Sequence, residues 1–259
     1  MTVLSVNLNK VALLRNSRGG DRPSVLDAAR TALAAGAAGL TLHPRPDQRH
    51  ALPSDVADLA ELLRGYPGLE LNIEGNPFAG PRDNGYPGFD ALIESARPHQ
   101  ATLVPDTDNQ LTSDHGFDLT GDNSALEAAI ARYRGWGARV SLFMDPIPEQ
   151  ITLAKACGAD RIELYTGPFA ETVSKHGVDH PASRESLERY RAAARHAVSI
   201  GLGVNAGHDL DLTNLPLFRQ IREVAEVSIG HALIADALEM GLAAAVQAYV
   251  KVLEGKEWR

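Results

Sequence analysis

The sequence predicts an α/β protein, a single (β/α)8 TIM barrel over residues 1–259 with its active site at the C-terminal ends of the strands. Short β-rich runs alternate strictly with Ala-rich helical stretches along the chain. The strand-like runs are mostly apolar, which is typical of a parallel sheet covered by helices. An open doubly wound sheet is the alternative, but no GxGxxG turn follows the first strand.

Eight strands and eight helices are predicted in strict alternation, as one closed barrel requires. The predicted strands are 4–9, 39–43, 69–74, 101–105, 139–145, 161–166, 201–205 and 226–230. The predicted helices are 24–35, 54–64, 89–96, 124–135, 148–157, 186–200, 215–223 and 232–253. Ser54, Asn123 and Pro148 mark helix starts. Helix ends are marked by Gly36, Gly65, Gly158 and Gly201.

Composition excludes several classes of protein. The net charge is −8 and no run of Lys or Arg occurs, which argues against nucleic-acid binding. Cys157 is the only cysteine, so we expect no disulfide framework and interpret this residue as small core filler. No signal peptide and no apolar run of roughly 20 residues is present, so we expect a cytoplasmic protein without a membrane partner.

Polar side chains cluster where the predicted strands end, and chance would scatter them over both ends of the barrel. In a barrel of this kind those ends converge on the active site. The polar set therefore indicates an enzyme. Its members are Asn7, Asn9, Lys10, His43, Arg45, Glu74, Asp106, Asp145, Glu163, Thr166, Asn205, His208, Gly230 and His231.

Four members of this set are acid–base groups: His43, Glu74, Glu163 and His208. Histidine exchanges protons near neutral pH, and a glutamate in a barrel mouth can have its pKa raised enough to do the same. The alternative for each residue is a structural hydrogen bond or ion pair. A metal site is the rival use, but no HxH or HExxH spacing supports one.

Two separate anion sites are predicted. Gly230 lies between the eighth strand and its helix, where backbone N–H groups bind phosphate. The small residues of 204–210 offer a second turn beside it. A cationic cluster follows the first strand and, with the 43–50 segment, suits another anionic group. The cations concerned are Lys10, Arg15, Arg18, Arg45 and His50.

Lys10 has an alternative interpretation, because a Schiff-base aldolase needs a desolvated lysine in the barrel. Anion pairing is favoured by the arginines that follow Lys10.

The segments 106–118 and 169–180 are long and are predicted to close over the site.

The motifs together resemble the pyridoxine 5′-phosphate synthase family, in the same order along nearly the whole chain. The most telling piece is Leu-His-Pro-Arg-Pro-Asp-Gln-Arg-His at 42–50. The other pieces are 5–19, 71–74, 103–105, 140–143, 162–167, 204–208 and 229–231.

This resemblance implies condensation of 1-deoxy-D-xylulose 5-phosphate with 3-amino-2-oxopropyl phosphate, giving pyridoxine 5′-phosphate, phosphate and water. It implies no metal or organic cofactor and an octamer built from four dimers. By resemblance, His43 and Glu74 are proton acceptors, His208 is the proton donor and Glu163 stabilises the transition state. The amino-ketone phosphate is contacted by Asn7, Arg18, Gly230 and His231. The deoxyxylulose phosphate is contacted by Arg45, His50 and Thr112.

The chain departs from the family pattern at three places. Asn9 and Lys10 stand where the family has Asp-His, facing the deoxyxylulose phosphate. Asp209 stands where the family has Gly, which puts a carboxylate near an expected phosphate. The loop 75–89 is longer and richer in Gly and Pro. We interpret the chain as a divergent member with the same activity, and altered substrate choice is the alternative.

Two other classes of function stay open from the residues. A sugar-phosphate aldolase or epimerase would reveal itself by borohydride trapping at Lys10 or by metal dependence. A non-catalytic phosphate-binding protein would bind without turnover, but it has no use for four acid–base groups.

Overall fold

Eight parallel strands close into a barrel in chain order, and the last strand pairs with the first. The computed structural model describes residues 2–258, so Met1 and Arg259 of the predicted domain lie outside the described residues. The strands are β1 Val3–Asn7, β2 Gly39–Leu42, β3 Glu70–Gly75, β4 Gln100–Leu103, β5 Arg139–Met144, β6 Arg161–Tyr165, β7 Gly203–His208 and β8 Val224–Ile229. The predicted fold class is confirmed.

Helices surround the barrel and connect successive strands. Within residues 2–258 they are α1 Asn9–Asn16, α2 Val25–Ala34, α3 Pro53–Arg64, α4 Phe89–Ala96, α5 Ser124–Gly135, α6 Pro148–Ala156, α7 Gly167–His176, α8 Pro181–Ser199, α9 Leu215–Phe218, α10 His231–Met240 and α11 Leu242–Glu254. Local chemistry explains several starts: the Ser24 side chain accepts a hydrogen bond from the Asp27 N–H, and Pro53 occupies the first turn of α3. None of the helices in this range is both long and apolar enough to span a bilayer.

The last predicted helix, 232–253, is wrong in one respect. The chain forms two helices there, because Gly241 has a φ of 83° that ends α10 and begins α11. The prediction of 215–223 is also too long, since α9 comprises only Leu215–Phe218.

The segment 169–180 was predicted to be a closing loop, and this is wrong. Most of it belongs to α7, which has Pro168 in its first turn. The buried Phe169 ring lies 5.9 Å from the Tyr190 ring and 5.2 Å from the Phe218 ring. An aromatic cluster of this kind holds α7 against its neighbours.

The inside of the barrel is polar, although the strands were predicted to be mostly apolar. In β1, Leu4 and Val6 pack in the apolar layer beneath the helices. Ser5, which lies between them, is 2.7 Å from the Thr41 hydroxyl through its Oγ. The side chains of successive strand residues point to opposite faces, so alternate positions fill the interior with hydrogen-bonding groups. Other buried polar residues of the strands are Asn72, Gln100, Thr102, Ser141, Asn205 and Glu226.

Candidate active site

A cavity of about 360 Å³ opens at the C-terminal ends of the strands. The predicted acid–base and substrate-contact residues line it, except Arg18, although they come from all parts of the chain. Four other members of the strand-end set do not line it: Asp106, Asp145, Thr166 and Asn205. The predicted residues that line it are Asn7, Asn9, Lys10, His43, Arg45, His50, Glu74, Thr112, Glu163, His208, Asp209, Gly230 and His231. The convergence that the strand-end pattern predicted is therefore present.

The predicted cationic cluster after β1 does not stay together. α1, which was not predicted, spreads these residues around a helix. Arg15 makes a bidentate ion pair with Asp55, at 2.5 and 2.9 Å. Arg18 is exposed beyond the end of α1 and does not line the cavity. Lys10 is the member of this cluster that reaches the cavity.

His43 and Glu74 form a buried acid–base pair at the ends of β2 and β3. The His43 Nδ1 atom lies 3.9 Å from Glu74 Oε2. Burial, with the charge of Arg45 next, holds the pKa of His43 well below its ordinary value of 6.5. Burial, with the charge of Asp106 next, raises the pKa of Glu74 to about 8. Near neutral pH the pair is therefore an unprotonated imidazole beside a protonated carboxyl.

Glu163 is a second buried carboxyl in the cavity wall. Burial and the charge of Glu74 raise its pKa well above the ordinary value. Among residues 2–258, its Oε2 atom has no hydrogen-bond partner. Gly207 makes room for this side chain, because a Cβ there would lie 2.2 Å from Glu163 Oε1. The small-residue turn predicted at 204–210 is therefore wrong over most of its length: β7 continues to His208, and Gly207 accommodates Glu163 within it.

His50 is a neutral hydrogen-bonding group. Burial and the cations Arg45, Arg49 and Lys10 lower its pKa to about 3. The His50 Nδ1 atom accepts a hydrogen bond of 2.9 Å from the Ala51 N–H. The proton of the neutral ring is then on Nε2, which leaves that atom free to donate.

Arg45 is held by Asp106, with which it forms a buried ion pair. The same Asp106 oxygen accepts a hydrogen bond of 2.7 Å from the Ser113 hydroxyl, in the loop after β4. The partners of Arg45 could not be found from sequence, because Asp106 lies 61 residues further along. Asp106 thus connects a predicted substrate-binding arginine to the loop that covers the cavity.

The remaining contacts fix the mouth of the barrel. The Asn9 side-chain oxygen accepts a hydrogen bond of 2.9 Å from the His43 N–H. Asn7 donates to Glu74 Oε2 over 3.4 Å. Gly230 precedes α10, and a Cβ there would lie 3.1 Å from the Asn7 side chain. Because residue 230 is a glycine, it leaves room for the Asn7 side chain. It also leaves the N-terminus of α10 open to a ligand.

His208 ends β7 and lies under the loop that follows β4. Its Nε2 atom is 2.5 Å from the Thr112 hydroxyl, and its Nδ1 atom is 2.8 Å from Asp209 Oδ2. In this structure the Thr112 hydroxyl therefore contacts His208, the residue predicted to be the proton donor.

The loop 76–88 braces the 43–50 segment from outside. The Gln48 side chain donates a 2.6 Å hydrogen bond to the Asn84 carbonyl. The Asn84 side chain in turn donates a 2.8 Å hydrogen bond to the Pro46 carbonyl. Arg82 pairs with Asp108 at 2.8 Å. This loop therefore supports the stiff segment that carries His43 and Arg45.

Several cavity residues were missed by sequence reasoning. The Ser228 hydroxyl donates a 3.5 Å hydrogen bond to Glu74 Oε1, and Ser113 holds Asp106. Ser228 could have been found from its place two residues before Gly230. Among residues 2–258, no group of three His, Cys, Asp or Glu side chains is arranged to hold a metal ion.

Known proteins resemble the chain along almost its whole length. The family model described as pyridoxal phosphate biosynthesis protein PdxJ matches residues 4–255. A pyridoxine 5′-phosphate synthase of Xanthomonas oryzae pv. oryzae is 54% identical over 257 residues, which covers 99% of this chain and 98% of that protein. A second, from Albidiferax ferrireducens, is 52% identical over 254 residues and 97% of each chain.

Among solved structures, 3-keto-L-gulonate-6-phosphate decarboxylase from Vibrio cholerae superposes with a TM-score of 0.60 over 96% of this chain and 97% of that one. At 11% identity this likeness shows the barrel fold alone. The family match and the near-complete, 54% identical relative lead to one conclusion: the chain belongs to the PdxJ family of pyridoxal phosphate biosynthesis proteins.

Proposed function

We propose that this protein is a pyridoxine 5′-phosphate synthase. It condenses 1-deoxy-D-xylulose 5-phosphate with 3-amino-2-oxopropyl phosphate to give pyridoxine 5′-phosphate, phosphate and water. Family membership supports this activity. The observation that carries it is the neutral His43 beside the protonated Glu74, in a cavity that also contains anion-binding groups. A reaction with several proton transfers and two phosphates needs both features.

The acid–base groups divide the proton transfers among them. The amine adds to the ketone, water leaves, phosphate is eliminated and the ring closes. His43 is the neutral base that accepts a proton, and Glu74 accepts one once it is ionised. His208 donates a proton to a leaving oxygen. Glu163 stabilises charge that develops in the buried transition state.

The two phosphates bind to different groups of cavity residues. Arg45, His50 and Thr112 bind the deoxyxylulose phosphate, with Asn9 and Lys10 facing the same substrate. The amino-ketone phosphate is bound by Asn7, Gly230 and His231, which line the cavity. The N-terminus of α10 at Gly230 supports the second site, because its free N–H groups attract anions.

The wider expectations belong to the same proposal. Residues 1–259 form one catalytic domain that works in the cytoplasm without a metal or organic cofactor. The subunits assemble as an octamer, a tetramer of dimers. An apolar surface on the neighbouring helices α1 and α10 supports self-association: Leu14 is 54% and Leu238 78% exposed.

The proposal is tested by mixing purified protein with both phosphate substrates. We expect pyridoxine 5′-phosphate, detected by absorbance and mass, and one phosphate released for each product formed. Well-folded protein that yields no product would refute the proposal. Borohydride added during the reaction checks the aldolase alternative, since adduct formation at Lys10 would favour it.

His208→Ala should abolish turnover while leaving the fold intact, because the proton donor is lost. Circular dichroism and thermal unfolding check the fold of this variant. His196→Ala is the matched control, since His196 lies on α8, remote from the cavity. Near-normal turnover in His208→Ala would remove the proton-donor assignment.

A further inference from the structure

His208 is held on a strained stretch of backbone. Its φ is 104°, in the region that non-glycine residues rarely adopt. The next residue is fixed on both sides. The Asp209 N–H donates to Thr166 Oγ1 over 3.3 Å, and Asn214 Nδ2 donates to the Asp209 carbonyl over 3.1 Å. Strain of this kind persists where the surroundings impose it, often at functional sites.

The two ring nitrogens of His208 have different partners. Nδ1 lies 2.8 Å from Asp209 Oδ2, whereas Nε2 lies 2.5 Å from the Thr112 hydroxyl in the cavity. A carboxylate oxygen accepts, so the proton of the first contact is on Nδ1. The Tyr165 ring meets the imidazole edge-on, 5.8 Å away at 76°, and limits its rotation.

We propose that Asp209 is a positioning residue for His208, whose carboxylate fixes the imidazole with Nδ1–H toward itself and Nε2 toward the substrate. This inference rests on the proposed function, in which His208 donates a proton. It also gives a use to the carboxylate that departs from the glycine of the family pattern. That carboxylate holds the ring, and it replaces the substrate-phosphate contact suggested for this position.

The chemical consequence concerns one proton. In the doubly protonated ring, the Nδ1 proton stays hydrogen-bonded to the Asp209 carboxylate and the Nε2 proton points into the cavity. That Nε2 proton passes to the leaving oxygen of the substrate as its bond to carbon breaks. The ring is then left neutral, with its proton on Nδ1 and with Nε2 able to accept from Thr112. Without Asp209 the neutral ring is free to carry its proton on Nε2, and the geometry of the donor is lost.

The test combines ring nitrogen NMR with kinetics on the full-length protein. Histidine labelled with ¹⁵N is incorporated, and a His208→Gln spectrum identifies the His208 signals. In the unmodified protein we expect the neutral ring to be protonated at Nδ1. In Asp209→Ala the proton should move to Nε2. kcat should fall at least about tenfold, while KM for each substrate changes less than about threefold.

Asp209→Asn keeps an acceptor but removes the charge, so we expect the Nδ1–H tautomer to remain while kcat falls. Asp211→Asn is the control in the same loop, because its carboxylate accepts the Thr213 and Asn214 N–H groups and does not line the cavity. It should leave the His208 signals unchanged.

Unchanged His208 signals in Asp209→Ala would overturn the proposal. A raised KM for the amino-ketone at normal kcat would also overturn it, by assigning the carboxylate to the phosphate. The NMR measurement needs no turnover. It therefore tests the placement of the His208 ring even if the protein makes no pyridoxine 5′-phosphate. Absence of that product would separately refute the proposed function.

Discussion

Three glutamates lie buried in or just below the cavity: Glu74, Glu163 and Glu226. Burial is the largest cause that raises the pKa of each. The charge of Glu226 raises the pKa of both other carboxyls further. Repulsion within this group keeps protons available in the site at neutral pH, as a reaction with several proton transfers requires.

The first prediction concerns the pH dependence of kcat/KM. We expect kcat/KM to rise with pH up to about 8, where Glu74 loses its proton and becomes an acceptor. Glu226→Gln removes a neighbouring negative charge, so the rise should shift to lower pH by roughly half a unit or more. A pH profile of both proteins measures this, with Glu94→Gln on the outside of α4 as control. If kcat/KM of Glu226→Gln rises over the same pH range as that of the unmodified protein, Glu226 does not influence the pKa of Glu74.

Gly207 provides the second prediction at this scale. Gly207→Ala would place a methyl group 2.2 Å from Glu163 Oε1 and displace that carboxyl. We expect turnover to fall at least about tenfold and the free energy of unfolding to fall by about 1–3 kcal/mol. Urea unfolding and steady-state kinetics measure the two effects. Gly121→Ala is the control, since a Cβ there meets nothing within 4 Å. Normal kinetics in Gly207→Ala would mean that Glu163 needs no fixed position.

At the scale of elements, the loop after β4 is fastened to the 43–50 segment by the buried Asp106 carboxylate and by a 3.2 Å hydrogen bond from Arg49 Nη1 to the Leu111 carbonyl. Asp106 pairs with Arg45 and accepts from Ser113, and the side chains of both Arg45 and Asp106 are almost fully buried. Movement of the loop therefore changes the support of Arg45, the arginine proposed to bind the deoxyxylulose phosphate. The other predicted cover, 169–180, is instead the packed helix α7.

Ser113→Ala should loosen this loop without unfolding the barrel. We expect KM for deoxyxylulose phosphate to rise several-fold, because the bond to Asp106 is worth about 1 kcal/mol or somewhat more. Amide hydrogen exchange over 107–113 should become faster. Thr107→Ala, in the same loop, keeps its backbone bond to Gln110 and serves as control. Unchanged exchange and KM would show that Ser113 does not hold the loop.

For the whole molecule, the shifted groups set how stability depends on pH. The folded state holds protons on Glu74 and Glu163 that the unfolded chain releases above about 4.5, so their contribution to stability falls as pH rises toward 8. His43 and His50 act in the opposite sense, because their lowered pKa values cost stability below 6.5. The two effects offset each other between about pH 4.5 and 6.5, so stability should be nearly constant there and should fall above pH 6.5.

Between pH 6.5 and 8 we expect the free energy of unfolding to fall by about 2 kcal/mol for one retained proton. Urea unfolding at the two pH values measures this difference. Glu74→Gln should make the dependence shallower, because the glutamine has no proton to lose while Glu163 remains. A rise in stability over this interval would contradict the raised pKa values.

The barrel and most of its active site could be predicted from the sequence. Apolar runs, helix starts and glycine ends are local properties, and the order of parallel strands in a barrel follows chain order. Most of the predicted cavity residues were found because they stand at the end of a strand, whereas the role of Thr112 came from the resemblance. Arg18 was predicted both from the cationic cluster after the first strand and from the resemblance, and the structure leaves it outside this cavity.

What only the tertiary structure decided is which side chains meet. His208 meets Thr112 across 96 residues of sequence, and Arg45 meets Asp106 across 61. The polar barrel interior, the protonated Glu74 and the helix at α7 depend on burial and packing that no local pattern contains. The sequence by itself determined where the acid–base groups enter the barrel. Their charge states depend on desolvation and on neighbours brought together by closure of the barrel, so they were decided by the fold.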